Sequence, residues 1–496
     1  MMVLSRRRLL FAGTGLAAFG ALRRPTRTAL ALGDAPTTLE VATRTIEVQG
    51  KPAEVFGIRQ ADGMHGLYAR AGDPFRVRLV NRLSTETLVH WHGLTPPYQQ
   101  DGVPDISQPA LVPGAAYEYD FPLRRPGTFW MHSHLGLQEQ RLLAAPLIVR
   151  DPAEAGLDEQ EVVVLLHDFT FRDPEEILAE LSGGGGHAMD MGNQAPEAMT
   201  APATTMDDGA MGHGAEPDAP MASGAMDADV NDVEFDAYLA NDRTLADPEV
   251  VPVEPGGRVR LRLINGAAAT NFFIDLGAIE GDLIAVDGNP VMPLRGSRFE
   301  IAISQRLDIR LRLPTGQGAY PVLAQREGEE ERTGIILATK DAPVRRVAER
   351  AAAAAGIAGF GLERRLRAAA PLAARPADRT LALDLTGSMA TYSWTLNGRS
   401  FGAHTPLVVA EGERVEVVIR NRTEMSHPMH LHGHSFQVVA IDGQRLDGAL
   451  RDTVLVPLNG GVTIAFDADN PGRWAFHCHH LYHMAAGMMT TVEYQA

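Results

Sequence analysis

The segment 412–421 reads GERVEVVIRN, and it decides the fold because two similar segments precede it in the chain. These segments are DPFRVRLVN at 73–81 and GRVRLRLIN at 257–265. Each copy alternates polar residues with leucine or β-branched residues, which is the pattern of a half-buried strand. Three copies at wide spacing indicate three related β-domains rather than a short-period solenoid. We therefore predict an all-β protein.

Most of the seventeen histidines fall in four short clusters, each of which contains His-x-His. Nine residues after the asparagine that ends the first and third repeats comes one such pair, His90 with His92 and His430 with His432. The equivalent position in the middle repeat is Ile274, so we interpret the middle domain as a spacer. Because residues i and i+2 of a strand share a face, each pair should offer two imidazoles to one place.

A second alignment adds two more pairs to the first and third domains. The segment PGTFWMHSH at 126–134 matches PGRWAFHCH at 471–479, and Ser133 stands where the second segment has Cys478. Cys478 is the only cysteine, so it cannot form an internal disulfide. We expect domains one and three to face each other with eight histidines between them. That number suits a multinuclear site, since one copper ion needs only three or four ligands.

The last cluster reads HCHHLYH at 477–483 and is followed by Met488. One thiolate, two imidazoles and a weak axial thioether form the ligand set of a blue-copper site. A lone cysteine is more often a small buried hydrophobic residue, and a lone His-x-His is weak evidence. Four such clusters, one of them around a unique cysteine, are a strong indication of metal chemistry.

In their order and spacing, the four clusters resemble the signature of the multicopper oxidases, the family of laccases, ascorbate oxidase and bacterial cuprous oxidases. The resemblance extends from about residue 36 to the end. It implies three cupredoxin-like Greek-key β-sandwich domains, which we predict over 36–152, 158–340 and 376–496. The Ala- and Arg-rich stretch 341–375 is then a partly helical linker between the last two domains.

The resemblance also implies four copper ions, one of type 1, one of type 2 and two of type 3. The ligands it implies are His427, Cys478, His483 and axial Met488 for type 1, His90 and His430 for type 2, and His92, His132, His134, His432, His477 and His479 for type 3. None of these ligands is missing, which argues against family members that have lost copper. In this scheme Cys478 receives single electrons from the substrate, and its two neighbours bind the cluster where dioxygen is reduced to water.

Asp101 is a candidate catalytic residue, eleven residues after His90. The resemblance implies an acid here that helps deliver protons to the copper cluster. The alternative is an ordinary loop aspartate, because Asp-Gly is a common turn pair. Both interpretations stay open. Some relatives carry a second acid directly after the last type 1 histidine, whereas this chain has Met484.

Residues 187–226 hold seven methionines and two histidines among Gly, Ala, Pro and Asp. Thioethers are soft ligands that select Cu(I), so this insert could collect cuprous ions, and it resembles the Met-rich inserts of bacterial copper-resistance oxidases. The alternative is a low-complexity linker. Met425 matches a position that binds substrate Cu(I) in the cuprous oxidases of the family, whereas the neighbouring Glu424 is out of register. A core role is the alternative for Met425.

The N-terminus reads SRRRLL at 5–10 and continues as an apolar run to about Leu22, which is typical of a twin-arginine signal. We predict a signal peptide over 1–31, recognition by the twin-arginine export machinery and a periplasmic location. The apolar run is too short for a stable membrane anchor. A net charge of −17 argues against nucleic acid and anionic membranes as partners. We expect a monomer.

The sequence thus predicts a multicopper oxidase that couples oxidation of Cu(I) to reduction of dioxygen and serves copper tolerance. Two alternatives stay open: a laccase-like oxidase of phenols, and a copper-sequestering protein whose oxidase activity is incidental.

Overall fold

The computed structural model describes residues 35–183 and 231–495. The predicted signal peptide and the Met-rich insert 187–226 lie outside these residues. Within the described ranges no helix is both long and apolar enough to cross a bilayer.

Domain 1 consists of two four-stranded sheets, in the orders β2-β1-β4-β6 and β3-β8-β7-β5. Its strands are β1 (Thr37–Val48), β2 (Lys51–Gln60), β3 (Leu67–Arg70), β4 (Pro74–Asn81), β5 (Val89–His90), β6 (Ala116–Pro122), β7 (Gly127–Ser133) and β8 (Ala144–Arg150). Short 3-10 helices cover Tyr98–Gln100 and Pro152–Glu154.

Domain 2 repeats this arrangement with larger sheets, in the orders β10-β9-β12-β17-β14-β15 and β11-β19-β18-β13-β16. Its elements are β9 (Gln160–Phe169), helix α1 (Pro174–Leu181), β10 (Ala237–Ala240), β11 (Val250–Val253), β12 (Arg258–Asn265), β13 (Phe272–Asp275), β14 (Gly281–Val286), β15 (Asn289–Gly296), β16 (Arg298–Ile301), β17 (Arg306–Arg312), β18 (Ala319–Arg326) and β19 (Arg332–Thr339).

Domain 3 has the sheet orders β21-β20-β23-β29-β25-β26, with β27 also paired to β25, and β22-β31-β30-β24-β28. Its elements are β20 (Arg379–Ser388), β21 (Ser393–Leu396), β22 (Leu407–Val409), β23 (Arg414–Asn421), β24 (His427–Leu431), β25 (Phe436–Ile441), β26 (Gln444–Arg445), β27 (Leu450–Arg451), β28 (Thr453–Val456), β29 (Gly461–Asp467), β30 (Arg473–Cys478), helix α2 (Leu481–Ala485) and β31 (Met489–Tyr494). The all-β fold of three sandwich domains is confirmed.

The three repeats are β4, β12 and β23, and each strand ends at the asparagine that ends the repeat. That asparagine is buried in all three domains and folds back the loop that follows it. Asn421 Nδ2 donates to the Met425 carbonyl at 2.6 Å, and its Oδ1 accepts from the Thr423 N–H at 2.9 Å. Asn81 and Asn265 make the equivalent pair of bonds. This capped loop sets where the next strand begins, and in domains 1 and 3 that next strand carries histidines.

The linker between domains 2 and 3 differs from the prediction. Its Ala-rich part, 351–355, is not helical, and its one regular element is a 3-10 turn at Glu363–Arg365. The N–H groups of Ala351 and Ala355 donate to carbonyls of the 329–330 turn in domain 2, at 2.7 and 2.8 Å. Leu366 is fully buried. Packing along domain 2 has therefore overridden the helix propensity of alanine.

Candidate copper centres

The sulfur of Cys478 lies between two imidazoles in the core of domain 3. Its Sγ is 3.6 Å from His427 Nδ1 and 3.8 Å from His483 Nδ1, and the two nitrogens are 3.2 Å apart. A point about 2 Å from all three atoms exists, which is near the length of metal bonds to imidazole nitrogen and thiolate sulfur. The three side chains therefore form a trigonal donor set of the blue-copper kind.

This set is buried beside the apolar core of domain 3. Cys478, His427, His483 and Met488 are fully buried, and Met488 packs in the same apolar cluster as Cys478. The Cys478 N–H donates to the Met488 carbonyl at 3.0 Å, which ties the two residues together. Burial raises the pKa of the Cys478 thiol, so the thiolate needs the charge of a bound metal ion to form here.

The other eight histidines come from the four pairs, and each pair straddles the end of a strand. His90 ends β5, and His92 lies in the turn beyond it; His430 and His432 repeat this arrangement at the end of β24. The expectation that both members of a pair share one strand face is therefore wrong, because the second histidine lies outside the strand. A glycine with positive φ follows each of these two pairs and makes the turn.

Strand pairing brings the histidines of one domain side by side. His90 faces His132 in domain 1, and His430 faces His477 in domain 3. The two domains then bring all eight imidazoles together. The shortest distances between ring nitrogens are 3.0 Å for His432–His477, 3.3 Å for His134–His477, and 3.4 Å each for His132–His479 and His92–His132.

Sets of three donors whose atoms all lie within 4.8 Å of one another recur through this cluster. They include His90 with His430 and His432, His90 with His92 and His132, and His134 with His432 and His477. The buried Nε2 atoms of His90 and His430 have no hydrogen-bond partner among the described residues. Unpaired nitrogens converging at these distances form donor sets that could hold a cation.

Burial keeps the imidazoles in the neutral form that binds metal. It lowers the pKa of His92, His134 and His432 well below the usual value, and the neighbouring imidazoles lower it further. Burial also lowers the pKa of His477 to about 4. Proton competition for these nitrogens is therefore weak at neutral pH.

Asp101, the predicted acid, lies between domains 1 and 3 and is buried. Its Oδ2 accepts from His432 Nδ1 at 2.8 Å, and its carbonyl accepts from His90 Nδ1 at 2.8 Å. Gly102 after it has φ +82°, and a Cβ there would lie 1.9 Å from the Val89 carbonyl oxygen. The Asp-Gly turn is thus real, but Asp101 also holds one cluster histidine from each domain, His432 through its carboxylate and His90 through its carbonyl.

Two further carboxylates hold cluster histidines, and no spacing in the sequence points to either. Glu139 Oε2 lies 2.7 Å from His132 Nδ1, and its Oε1 lies 3.9 Å from His479 Nδ1. Asp452 Oδ1 lies 3.1 Å from His92 Nε2. Each carboxylate is therefore near histidines of both domains, and each orients the outer nitrogen of a ring so that the other nitrogen faces inward.

The middle domain is more than a spacer, because one of its side chains reaches this assembly. Arg306 is fully buried, and its Nη1 donates to Asp452 Oδ1 at 2.8 Å. Ser304 Oγ donates to Thr453 Oγ1 at 3.0 Å from the same domain. Domain 2 therefore supports the acid that holds His92, although it has no histidine in the cluster.

A carboxylate also holds the blue-copper histidine on the side away from the cluster. Asp232 Oδ2 lies 3.3 Å from His483 Nε2, and its Oδ1 lies 3.0 Å from His480 Nε2. The rings of His480 and His483 stack at 3.8 Å, and the Tyr392 hydroxyl donates to Asp232. Asp232 and Tyr392 both lie outside the histidine clusters, so no sequence motif points to them.

The two predicted substrate residues differ in their surroundings. Met425 is 5 % exposed and packs in the apolar cluster that contains Cys478, whereas Glu424 is exposed. Met425 is held by the loop that carries His427, and its neighbour Thr423 bonds His427 Nε2 at 2.7 Å. Met425 is therefore close in sequence and packing to the blue-copper set, and Glu424 is at the surface beside it.

The donor sets fit copper. One site offers a soft thiolate and two imidazoles, and the other offers eight imidazoles, several of which have the outer nitrogen beside a carboxylate or a carbonyl. Cysteine and imidazole are ligands that copper prefers, and the trigonal His₂Cys arrangement is typical of electron-transfer copper.

Comparison with known proteins agrees with this geometry. Three models of the multicopper oxidase family match residues 40–154, 160–342 and 374–496. The multicopper oxidase MmcO of Mycobacterium tuberculosis is 32% identical over 436 residues, which cover 86% of this chain and 80% of the relative. A copper resistance protein A homolog of Pseudomonas syringae is 28% identical and covers 86% of each chain.

Solved structures show the same fold. The multicopper oxidase of Pseudomonas thermotolerans superposes with a TM-score of 0.66 at 24% identity, covering 92% of this chain and 98% of the other. A laccase from Botrytis aclada superposes with a TM-score of 0.72 at 24% identity, covering 92% and 86%. With family models matching each of its three domains, the chain belongs to the multicopper oxidases, the copper enzymes that reduce dioxygen.

Proposed function

We propose that this oxidase takes its electrons from Cu(I) and serves copper tolerance. The observation that carries the proposal is the position of Asp232. This residue contacts His483, the histidine on the outer side of the blue-copper set, and it lies next to Asn231, where the described chain resumes after the Met-rich insert. The insert is therefore covalently joined beside the point where electrons would enter the protein.

The other end of the insert is anchored to the same part of the molecule. Helix α1 ends at Leu181, and its Ile177 is buried in the apolar cluster of domain 3 that contains Tyr482. Leu178 and Leu181 pack against that cluster as well. Both flanks of the insert thus lie against the region around α2, which carries His483.

The length of the chain limits the distance between Asp232 and the nearest thioether of the insert. Met226 is six residues before Asp232, and an extended chain spans about 3.5 Å per residue, so the two residues are at most about 20 Å apart. Thioethers select Cu(I), and the acidic residues of the insert attract the cation. Two relatives carry the name copper resistance protein A, which agrees with this proposal.

The copper ligands that we propose are those predicted from the sequence. His427, Cys478 and His483 would hold the type 1 ion with Met488 near it, and the remaining eight histidines would hold the type 2 ion and the type 3 pair. Bound there, copper supplies one-electron transfer at the first site and reduction of dioxygen at the second.

The protein itself supplies the path between the two sites and the positions of the ligands. His477 and His479 flank Cys478 directly, so a few covalent bonds connect the thiolate to both cluster imidazoles. Burial excludes water from the path. Asp101, Glu139 and Asp452 hold the ring nitrogens that face away from the cluster, so the imidazoles need little rearrangement when electrons arrive.

The proposal is tested by oxygen consumption of the copper-loaded enzyme with Cu(I), and then a phenol, as sole electron donor. A variant with all seven methionines of 187–226 changed to leucine keeps the length and apolar volume of the insert but removes its thioethers. We expect this variant to lose Cu(I) turnover while its phenol turnover stays at the wild-type rate.

Three outcomes would contradict the proposal. Equal losses of turnover with both donors in the leucine variant would show that the insert does not deliver Cu(I). Efficient phenol turnover without Cu(I) turnover in the wild-type enzyme would make it laccase-like. High copper capacity with negligible oxygen uptake would favour sequestration. Cys478→Ser is the blank for each assay, because it removes the thiolate through which electrons would pass.

A further inference from the structure

We infer that Arg306 of domain 2 is a positioning residue for the oxygen-reducing copper cluster, acting through Asp452 on His92. The inference concerns the cluster and does not depend on which donor supplies the electrons. It assigns a role in oxygen chemistry to the domain that contributes no histidine.

His92 is oriented differently from the other cluster histidines. Among the eight cluster histidines, the other seven turn Nε2 inward, whereas His92 turns Nδ1 toward His132 Nε2, at 3.4 Å. Its Nε2 therefore points away from the cluster, where it lies 3.1 Å from Asp452 Oδ1 and 3.4 Å from Thr453 Oγ1. For Nδ1 to offer its lone pair to a metal, Nε2 must carry the proton and donate it to an acceptor.

Asp452 is that acceptor, and it also holds a second histidine. Its backbone carbonyl accepts from His430 Nδ1 at 2.8 Å. The rings of His92 and His430 stack at 3.8 Å with an interplanar angle of 16°. A displacement of Asp452 would therefore move one histidine from domain 1 and one from domain 3 together.

Arg306 fixes Asp452 with a bidentate pair. Its Nη1 donates to Oδ1 at 2.8 Å, and its Nη2 donates to Oδ2. The guanidinium is itself held, because Nη1 also donates to the Ser304 carbonyl at 2.9 Å and Nε donates to the Thr128 carbonyl at 3.2 Å. A planar guanidinium held at both ends fixes the plane of the carboxylate, which a point charge cannot do.

The pair also fills the space beside the turn that follows His92. A Cβ on Gly93 would lie 2.5 Å from Arg306 Nη2 and 2.8 Å from Asp452 Oδ2. The positive φ of +87° at Gly93 lets the chain turn here without a side chain. The guanidinium and carboxylate thus pack directly on the backbone that carries His92.

The test compares Arg306→Lys with Arg262→Lys. Lysine keeps the positive charge but cannot form the bidentate pair with Asp452. Arg262 is a matched control: it is 3 % exposed and pairs with Asp308 at 2.9 Å and Glu161 at 2.7 Å, but among the described residues it makes no hydrogen bond or ion pair with a histidine or with Asp452. Both changes weaken a buried ion pair made by an arginine of domain 2, so a general loss of stability should appear in both.

We expect Arg306→Lys to lose cluster copper at about 10- to 100-fold lower EDTA concentration than wild type, the usual cost of removing an outer-shell partner. Its blue absorption should persist, and the type 2 signal in electron paramagnetic resonance should change. Arg262→Lys should keep wild-type copper retention and spectra even where its melting temperature falls.

Two results would overturn the inference. One is wild-type copper retention together with a wild-type type 2 signal in Arg306→Lys. The other is the same loss in Arg262→Lys. If Arg306→Lys does not fold, Asp452→Asn decides the question, because the amide keeps the volume but not the ion pair. Unchanged cluster spectra in Asp452→Asn would remove the route from Arg306 to His92.

Discussion

Glu139 offers a sharp test of how the protein holds its cluster, through the change Glu139→Gln. The side chain is 3 % exposed, and its Oε2 lies 2.7 Å from His132 Nδ1, which also faces the Ser133 carbonyl at 3.1 Å. Glutamine keeps the volume and can still accept a hydrogen bond from this nitrogen, but it removes the negative charge. A hydrogen bond to a charged group is worth about 1.5–3 kcal/mol, and a neutral one about half of that, so the loss is about 1 kcal/mol.

That loss corresponds to about fivefold weaker copper binding at the cluster. In the copper-free protein we expect Glu139→Gln to leave stability unchanged or to raise it. The reason is that burial disfavours the charged carboxylate that glutamine removes, which raises the pKa of Glu139 well above its usual value. We therefore expect the copper-free variant to melt at or above the wild-type temperature, while its copper-loaded form loses cluster copper to a competing chelator more readily.

Glu327→Gln is the matched control. Glu327 is 1 % exposed and accepts from Asn271 Nδ2 at 2.7 Å, but it contacts no histidine. This control should keep its copper. Unchanged copper retention in Glu139→Gln, or an equal loss in Glu327→Gln, would refute the reasoning, since either result would separate copper binding from the carboxylate beside His132.

Two further predictions concern the thiolate and the pH dependence of stability. Cys478→Ser should abolish the blue absorption and turnover while type 2 copper stays bound; retained turnover would contradict the ligand assignment. Burial raises the pKa of Glu327 from 4.5 to about 7, so the folded state binds more protons than the unfolded chain between these values, and stability should fall as pH rises from 4.5 to 7. The fall is about 3 kcal/mol, and Glu327→Gln should remove that part of the slope in denaturant titrations at several pH values; an unchanged slope would contradict the shift.

Much of the fold could be predicted from the chain because the repeats carry local signals. Alternating residues set the strands β4, β12 and β23, and the asparagine at the end of each strand caps the loop that follows. The helix predicted from the alanine run at 351–355 does not form, because its backbone bonds to domain 2 instead of closing helical turns. Local propensity decides such a segment only where no neighbour offers better partners.

The histidines of the candidate site could be predicted from the sequence, but Glu139, Asp452 and Arg306, which position them, could not. His-x-His beside a unique cysteine is visible in the sequence, although the second histidine of each pair lies past the strand end. Glu139, Asp452 and Arg306 carry no such signal. Arg306 and Asp452 are 146 residues apart and meet only when domains 2 and 3 pack together.

The sequence by itself therefore determined that the three repeats form strands, the copper-binding residue types and the unequal use of the three domains. Periodicity and spacing depend on residues that are close together in the chain, so they can be read directly from the sequence. Only the tertiary structure decided which ring nitrogen faces inward, which carboxylates hold the imidazoles, and that Asp232 meets His483. Those choices depend on groups from distant segments that become neighbours in a buried space, where each polar atom must find a partner.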